Sequence, residues 1–85
     1  MPPGVAVEVE AQAKACERQA EQLEQLIREL NTLRQSVGAG WTGTAGTSLG
    51  ELIEGRAEAV RDAQRALRSA AGQMRAAATA IAAQP

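Results

Sequence analysis

Three glutamates, Glu17, Glu21 and Glu24, have the residue type and the helical spacing for acid–base or metal chemistry. Carboxylates three or four residues apart lie on one side of a helix, where a pair could exchange protons or bind a cation. Lys14 and Arg18 are interleaved with them, which favours a solvated charged surface instead. A carboxylate metal site in a helical bundle also uses Glu-x-x-His, and the chain has no histidine.

Nucleophilic catalysis has even less support, because the sequence contains no His, no Tyr and a single cysteine, Cys16. We interpret Cys16 as a small buried apolar residue, with an intermolecular disulfide in a symmetric dimer as the alternative. The glycine-rich stretch 38–50 lacks Gly-x-x-x-x-Gly-Lys-Ser/Thr, so it does not indicate phosphate binding. The residues predict no enzyme, no cofactor and no metal.

Recognition is the remaining chemistry, and Trp41 is the only aromatic residue that could provide it. It lies in Trp41-Thr42-Gly43, within the glycine-rich stretch. In one interpretation the indole folds back and closes the end of the fold, burying area while its N–H finds a partner. In the other, Trp41 and Gly43 form a recognition feature that a second molecule contacts.

Periodic apolar residues on both sides of this stretch predict two long helices. Heptad spacing relates Val9, Cys16, Leu23, Leu30 and Val37 upstream, and Ile53, Val60, Leu67, Met74 and Ile81 downstream. Ala13, Ala20 and Ile27 fill a second heptad position in the first segment. We therefore predict one all-α domain over 1–85, an antiparallel helical hairpin with helix 1 at about 6–38, a turn at 38–47 and helix 2 at about 44–82.

Glycines and hydroxyl residues set the expected helix ends. Gly38 and Gly40 suit the C-cap of helix 1, and Ser48 with Glu51 matches a capping box for helix 2. Competing starts lie at Thr42 and Thr44. Inside helix 2, Gly55 and Gly72 either permit a close helix crossing or are tolerated on the surface.

The apolar stripes are wider than one helix pair can cover. Hydrophobic residues make up 45% of the chain, but alanine accounts for much of that share, so burial inside a lone hairpin is limited. We predict that two hairpins pair in a four-helix bundle, as a homodimer or a heterodimer. The expected interface residues are Leu23, Leu26, Leu30, Leu33, Val60, Leu67 and Met74.

Charge and hydropathy exclude two other classes of partner. The net charge of −1 argues against electrostatic binding of nucleic acid. No apolar run approaches the length of a membrane span, and the N-terminal residues lack the basic and apolar regions of a signal peptide. We expect neither nucleic-acid binding nor stable membrane insertion, and any export would use a route that does not read such a peptide.

A helix, a Trp-x-Gly turn and a second helix, carried here by Trp41-Thr42-Gly43 with Gly40 before and Ala45 after, resemble the WXG family of early-secreted-antigen-like proteins. The resemblance implies a non-enzymatic subunit of type VII secretion, cytoplasmic or exported without a cleaved signal peptide. It implies pairing with itself, a sister hairpin or the N-terminal helical domain of a larger effector, and contact with the secretion ATPase. Trp41 and Gly43 would form part of the turn that presents the export signal.

One family feature is missing. Members that carry the export signal have a C-terminal Tyr-x-x-x-Asp/Glu, whereas this chain has no Tyr and ends at Pro85. Either the tail is lacking or the partner carries the signal for both, and the second option fits a heterodimer. A cytosolic coiled-coil adaptor, in which Trp41 is incidental, is the alternative function.

Overall fold

Two helices make up the fold in the computed structural model, which describes residues 3–85. Helix α1 spans Pro3–Gly40 and helix α2 spans Gly43–Ala82, with Trp41 and Thr42 between them. The Cα atoms fill a rod of 66 × 14 × 10 Å, as expected for helices of 38 and 40 residues that lie side by side. The predicted all-α hairpin is confirmed. Within residues 3–85, neither helix is apolar enough over a sufficient length to cross a bilayer.

Contacts between the helices show that they are antiparallel. Near the connection Arg34 pairs with Glu54 at 2.9 Å. Near the middle the Gln64 amide bonds to α1, and near the termini Arg75 pairs with Glu10 at 3.3 Å. Because the α2 partner advances along the chain as the α1 partner retreats, the chain reverses completely between the helices.

Small residues form the centre of the helix–helix contact. The residues buried at heptad spacing are Ala13, Ala20 and Ile27 in α1, and Ala57, Gln64, Ala71 and Ala78 in α2. Alanines at these positions let the two backbones approach closely, and they keep high helix propensity. Of the larger heptad residues, Val37 and Ile53 are buried near the connection, whereas those along the rest of the rod, such as Leu23 and Leu30, are only half-buried. The line of small side chains, and not the line of leucines, therefore lies at the centre of the contact along most of the rod.

Gln64 is the one buried polar side chain in the described core. Its amide nitrogen donates to the carbonyl oxygen of Ala20 at 3.0 Å and to a carboxylate oxygen of Glu24 at 2.8 Å. A buried amide without partners would destabilise the fold by about 1–3 kcal/mol. These two bonds remove that cost only when α1 and α2 are in this register.

A cluster of charges joins the helices beside the alanine line. The Arg75 guanidinium donates two hydrogen bonds to the Glu17 carboxylate and one to Glu10 at 3.3 Å. The hydrogen bonds from Arg75 lower the pKa of Glu17, against a smaller opposing effect of desolvation. The same bonds raise the pKa of Arg75. Since these groups are partly exposed, the cluster specifies helix pairing more than it adds stability.

The connection is shorter than the predicted turn at 38–47. Helix α1 continues through Gly38 to Gly40, and the Trp41 N–H still donates to the Val37 carbonyl oxygen at 2.9 Å. Helix α2 begins at Gly43, and the preceding Thr42 has an extended backbone. Thr42, one of the two competing positions, is therefore its N-cap, and the Ser48–Glu51 pair that was expected to cap it lies inside the helix. The chain reverses in so few residues because Gly43 has a left-handed backbone, with φ +78°.

Candidate functional site

Five large apolar residues lie on one flank of the alanine line. A residue three positions after a buried one is rotated by about −60° around its helix, and a residue four positions after by about +40°. Leu23 and Leu30 come three after Ala20 and Ile27. Val60, Leu67 and Met74 come three after Ala57, Gln64 and Ala71. Each of these five residues is therefore rotated by about −60° from the buried residue that precedes it in its helix.

The charged cluster shows how these flanks combine in the hairpin. Glu17 and Arg75 each come four residues after a buried alanine, and they form an ion pair across the helices. The side of each helix that carries the residues four positions after the buried ones therefore meets the same side of the other helix, on one side of the rod. The residues three positions after the buried ones, which include the five large apolar residues, must then lie on the opposite side of the rod.

We call this opposite side the leucine face: Leu23, Leu26, Leu30, Leu33, Val60, Leu67 and Met74. Leu26 and Leu33 follow Leu23 and Leu30 by three residues and extend the face away from α2, with exposed fractions of 39% and 50%. The other five members are half-buried. The structure thus places all the predicted interface residues on one side of the rod, while their role as an interface stays a prediction.

Alanines extend the α2 side of the leucine face. Ala63, Ala70 and Ala77 follow Val60, Leu67 and Met74 by three residues each, so they continue the apolar surface around α2. The face therefore has leucines along its α1 edge and short side chains along its α2 edge. A partner helix could lie close to the α2 backbone while the leucines of α1 contact its side.

Trp41 is exposed at the connection between the helices, which we call the tip (residues 41–43). The residue is 57% exposed, so its indole does not close the end of the hairpin as the first interpretation expected. The side chain lines an open groove of about 420 Å³ together with Val37, Gly46 and Gly50. Arg34, Glu51 and Glu54 also line it and supply charge at its edge. An exposed aromatic beside an apolar groove suits recognition.

Gly43 supports the tip through its backbone, and substitution with alanine is expected to destabilise the hairpin. A left-handed backbone at a residue with a Cβ costs about 1–2 kcal/mol, so Gly43→Ala should lower the urea midpoint although open space surrounds the position. Gly55→Ala is the matched control, because Gly55 is helical and its missing Cβ also meets open space. It should raise stability by about 0.5–1 kcal/mol. Equal midpoints for the two variants would contradict the backbone argument.

Gly46 is a site residue that sequence reasoning missed. It is buried in the first turns of α2, where a Cβ would lie 2.8 Å from the carbonyl oxygen of Trp41. Its only sequence signal was its place among five glycines in 38–50. By contrast, Gly55 and Gly72 are exposed and a Cβ there would meet nothing within 4 Å. Gly55 and Gly72 are therefore tolerated on the surface and do not mark a close helix crossing.

Cys16 is a free, half-buried thiol three residues after Ala13, on the flank that continues the leucine face toward the termini. This position fits an apolar neighbour of the face. Among the described residues, no group of three or more Cys, Asp or Glu side chains is arranged to bind a metal ion.

An antiparallel two-helix hairpin with Trp-x-Gly at its tip defines a class of small all-α proteins. The family model WXG100, described as proteins of 100 residues with WXG, matches residues 5–84, and the chain belongs to this family. It is therefore a small helical protein associated with type VII secretion, in a family whose members typically dimerise. No curated protein and no solved structure matches the chain significantly.

Proposed function

We propose that the protein is a non-enzymatic binding subunit of type VII secretion that pairs through its leucine face. The partner would be a second copy, a sister hairpin or the N-terminal helical domain of a larger effector, and the product a four-helix bundle. The paired form would be exported, or would target the partner for export, without a cleaved signal peptide. The observation that carries the proposal is the leucine face itself, since seven large apolar side chains lie on one side of the rod and stay partly exposed.

The free energy of burial supports this proposal. Full burial of a Leu or Met side chain contributes about 1.5–3 kcal/mol, so covering a half-exposed one contributes about 1 kcal/mol. Over the seven residues of the leucine face the gain is comparable to the whole stability of a small domain. The opposite side of the rod carries the ion pairs of Arg75 with Glu10 and Glu17, which a helical partner would have to desolvate. Pairing through the leucine face is therefore favoured.

The pairing is tested by mass measurement in solution and by co-expression with the neighbouring reading frames followed by pull-down. We expect a dimer, either of this chain alone or with one of those products. A stably folded monomer at micromolar concentration, together with no partner among the neighbouring products, would refute the proposal.

Trp41 would act at the tip after pairing, as a contact for the secretion ATPase or another export component. We expect Trp41→Ala to abolish export into the medium while pairing is retained, because Trp41 lies outside the leucine face and is 57% exposed. Immunoblots of cells and medium, in a host with an active type VII system, measure the first effect. Light scattering of the purified complex measures the second.

The conservative variant Trp41→Phe is the control for this experiment, since it keeps an aromatic ring at the tip and should retain part of the export. If Trp41→Ala lowers only the melting temperature, the cytosolic adaptor hairpin is the better description. The sequence supports the non-enzymatic assignment because it offers no His or Tyr for catalysis.

A further inference from the structure

We propose that Gly46 is a positioning residue for Trp41, holding the indole at the tip in the orientation that the export machinery contacts. The first turn of α2 fits against the backbone of Trp41 only because residue 46 has no side chain. This inference depends on the proposed role of Trp41 at the tip, and it adds a second residue, in a different helix, on which that role relies.

The contact between Gly46 and Trp41 leaves no room for a methyl group. A Cβ at residue 46 would lie 2.8 Å from the carbonyl oxygen of Trp41, 3.0 Å from the carbonyl carbon and 3.2 Å from its Cβ. The two closest atoms are backbone, so they cannot rotate away as a side chain would. A larger residue must therefore displace either the Trp41 peptide or the start of α2.

Trp41 is held from both helices through its backbone. Its N–H donates to the Val37 carbonyl oxygen at 2.9 Å, which fixes it to the last turn of α1. Its carbonyl group packs against Gly46, which fixes it to α2. The residue as a whole is nevertheless 57% exposed. The hairpin thus immobilises the backbone of this residue and leaves its indole available for a partner, as a preorganised contact requires.

The space requirement at residue 46 is specific. At Gly50, Gly55 and Gly72, which lie in the same helix, an added Cβ meets nothing within 4 Å. Gly50 also lines the groove beside Trp41, so it shares the surroundings of Gly46 without the contact. Alanine is the better helix former at any of these positions. Among these four positions, Gly46 is the one where replacing glycine with alanine should disturb the tip.

Gly46→Ala tests the proposal, with Gly50→Ala as the matched control. Both variants are made in a background that also carries Gly55→Ala and Gly72→Ala, since filling these open helical positions offsets a loss of stability. Because the chain has no Tyr or Phe, tryptophan fluorescence, its quenching by acrylamide and near-ultraviolet circular dichroism report on Trp41 alone. Far-ultraviolet circular dichroism checks the helices, and export is measured by immunoblot of the medium.

We expect Gly46→Ala to keep its helices and its pairing, to lose near-ultraviolet signal, to change acrylamide quenching and to lose export. Gly50→Ala should match the background in the Trp41 spectra, in acrylamide quenching and in helix content, and the background that carries Gly55→Ala and Gly72→Ala is the reference for export. The proposal is overturned if Gly46→Ala has an unchanged Trp41 spectrum, or if the spectrum changes and export persists. If Trp41→Ala is itself exported normally, the proposed role of the tip fails. The spectra of Gly46→Ala still decide separately whether Gly46 positions the indole.

Discussion

Replacing Leu30 with Asp is expected to separate the paired hairpins. Leu30 lies within the leucine face, three residues after the buried Ile27, and it is half-buried before any partner binds. A carboxylate there would be desolvated by the partner with no cation assigned to it, which costs on the order of 3–5 kcal/mol. That cost weakens pairing by at least about a hundredfold. Analytical ultracentrifugation over a range of concentrations measures the change.

Gln25→Asp is the matched control for this substitution. Gln25 is exposed in the same helix, and it lies two residues before Ile27, which directs it away from α2. It introduces the same side chain and should leave pairing unchanged. Circular dichroism of Leu30→Asp must show intact helices, since Leu30 also borders the contact between α1 and α2. An intact dimer in a folded Leu30→Asp protein would mean that pairing uses another surface.

The hairpin was predictable because its evidence is periodic and local. Leucines such as Leu23 and Leu30 repeat every seven residues, and the glycine-rich stretch separates the two repeats. Trp41-Thr42-Gly43 between them indicated the family that the match over residues 5–84 then showed. None of these inferences needs a side-chain contact, which is why sequence alone sufficed.

The sequence could not decide which apolar line forms the centre of the hairpin. In α1 both the line through Ala20 and the line through Leu23 have heptad spacing, and either could face α2. The structure buries Ala20 to 1% exposure and leaves Leu23 half-buried. Gln64 interrupts the corresponding alanine line of α2, and only the three-dimensional register provides bonding partners for its amide.

The role of Gly46 was hidden for a similar reason. Its close neighbour is the Trp41 carbonyl group, and that contact exists only after Gly43 has reversed the chain. In the sequence, Gly46 and Gly50 look alike, because both lie in the glycine-rich stretch 38–50. In the structure, a Cβ at Gly50 would meet nothing within 4 Å. The predicted turn was too long because glycine disfavours helix, whereas in the structure α1 continues through Gly38 to Gly40 and α2 begins at Gly43.

Enlarging Ala20 should open the hairpin itself. In Ala20→Leu the added side chain has no space between α1 and α2, where Ala20 is 1% exposed and its carbonyl oxygen accepts the Gln64 amide. The helices must separate or shift, and overpacking of this kind costs about 1–3 kcal/mol. Because an 85-residue chain has few large side chains to offset that loss, we expect a lower urea midpoint and partial unfolding at ambient temperature.

Ala11→Leu separates overpacking from a general effect of a larger side chain. Ala11 is exposed in the same helix, two residues before Ala13, and it is directed away from α2. It should change the free energy of unfolding by no more than about 0.5 kcal/mol. If Ala20→Leu were as stable as Ala11→Leu, the alanine line could not be the centre of the hairpin. The leucines would then be its core, and the leucine face would have no surplus of apolar surface with which to bind a partner.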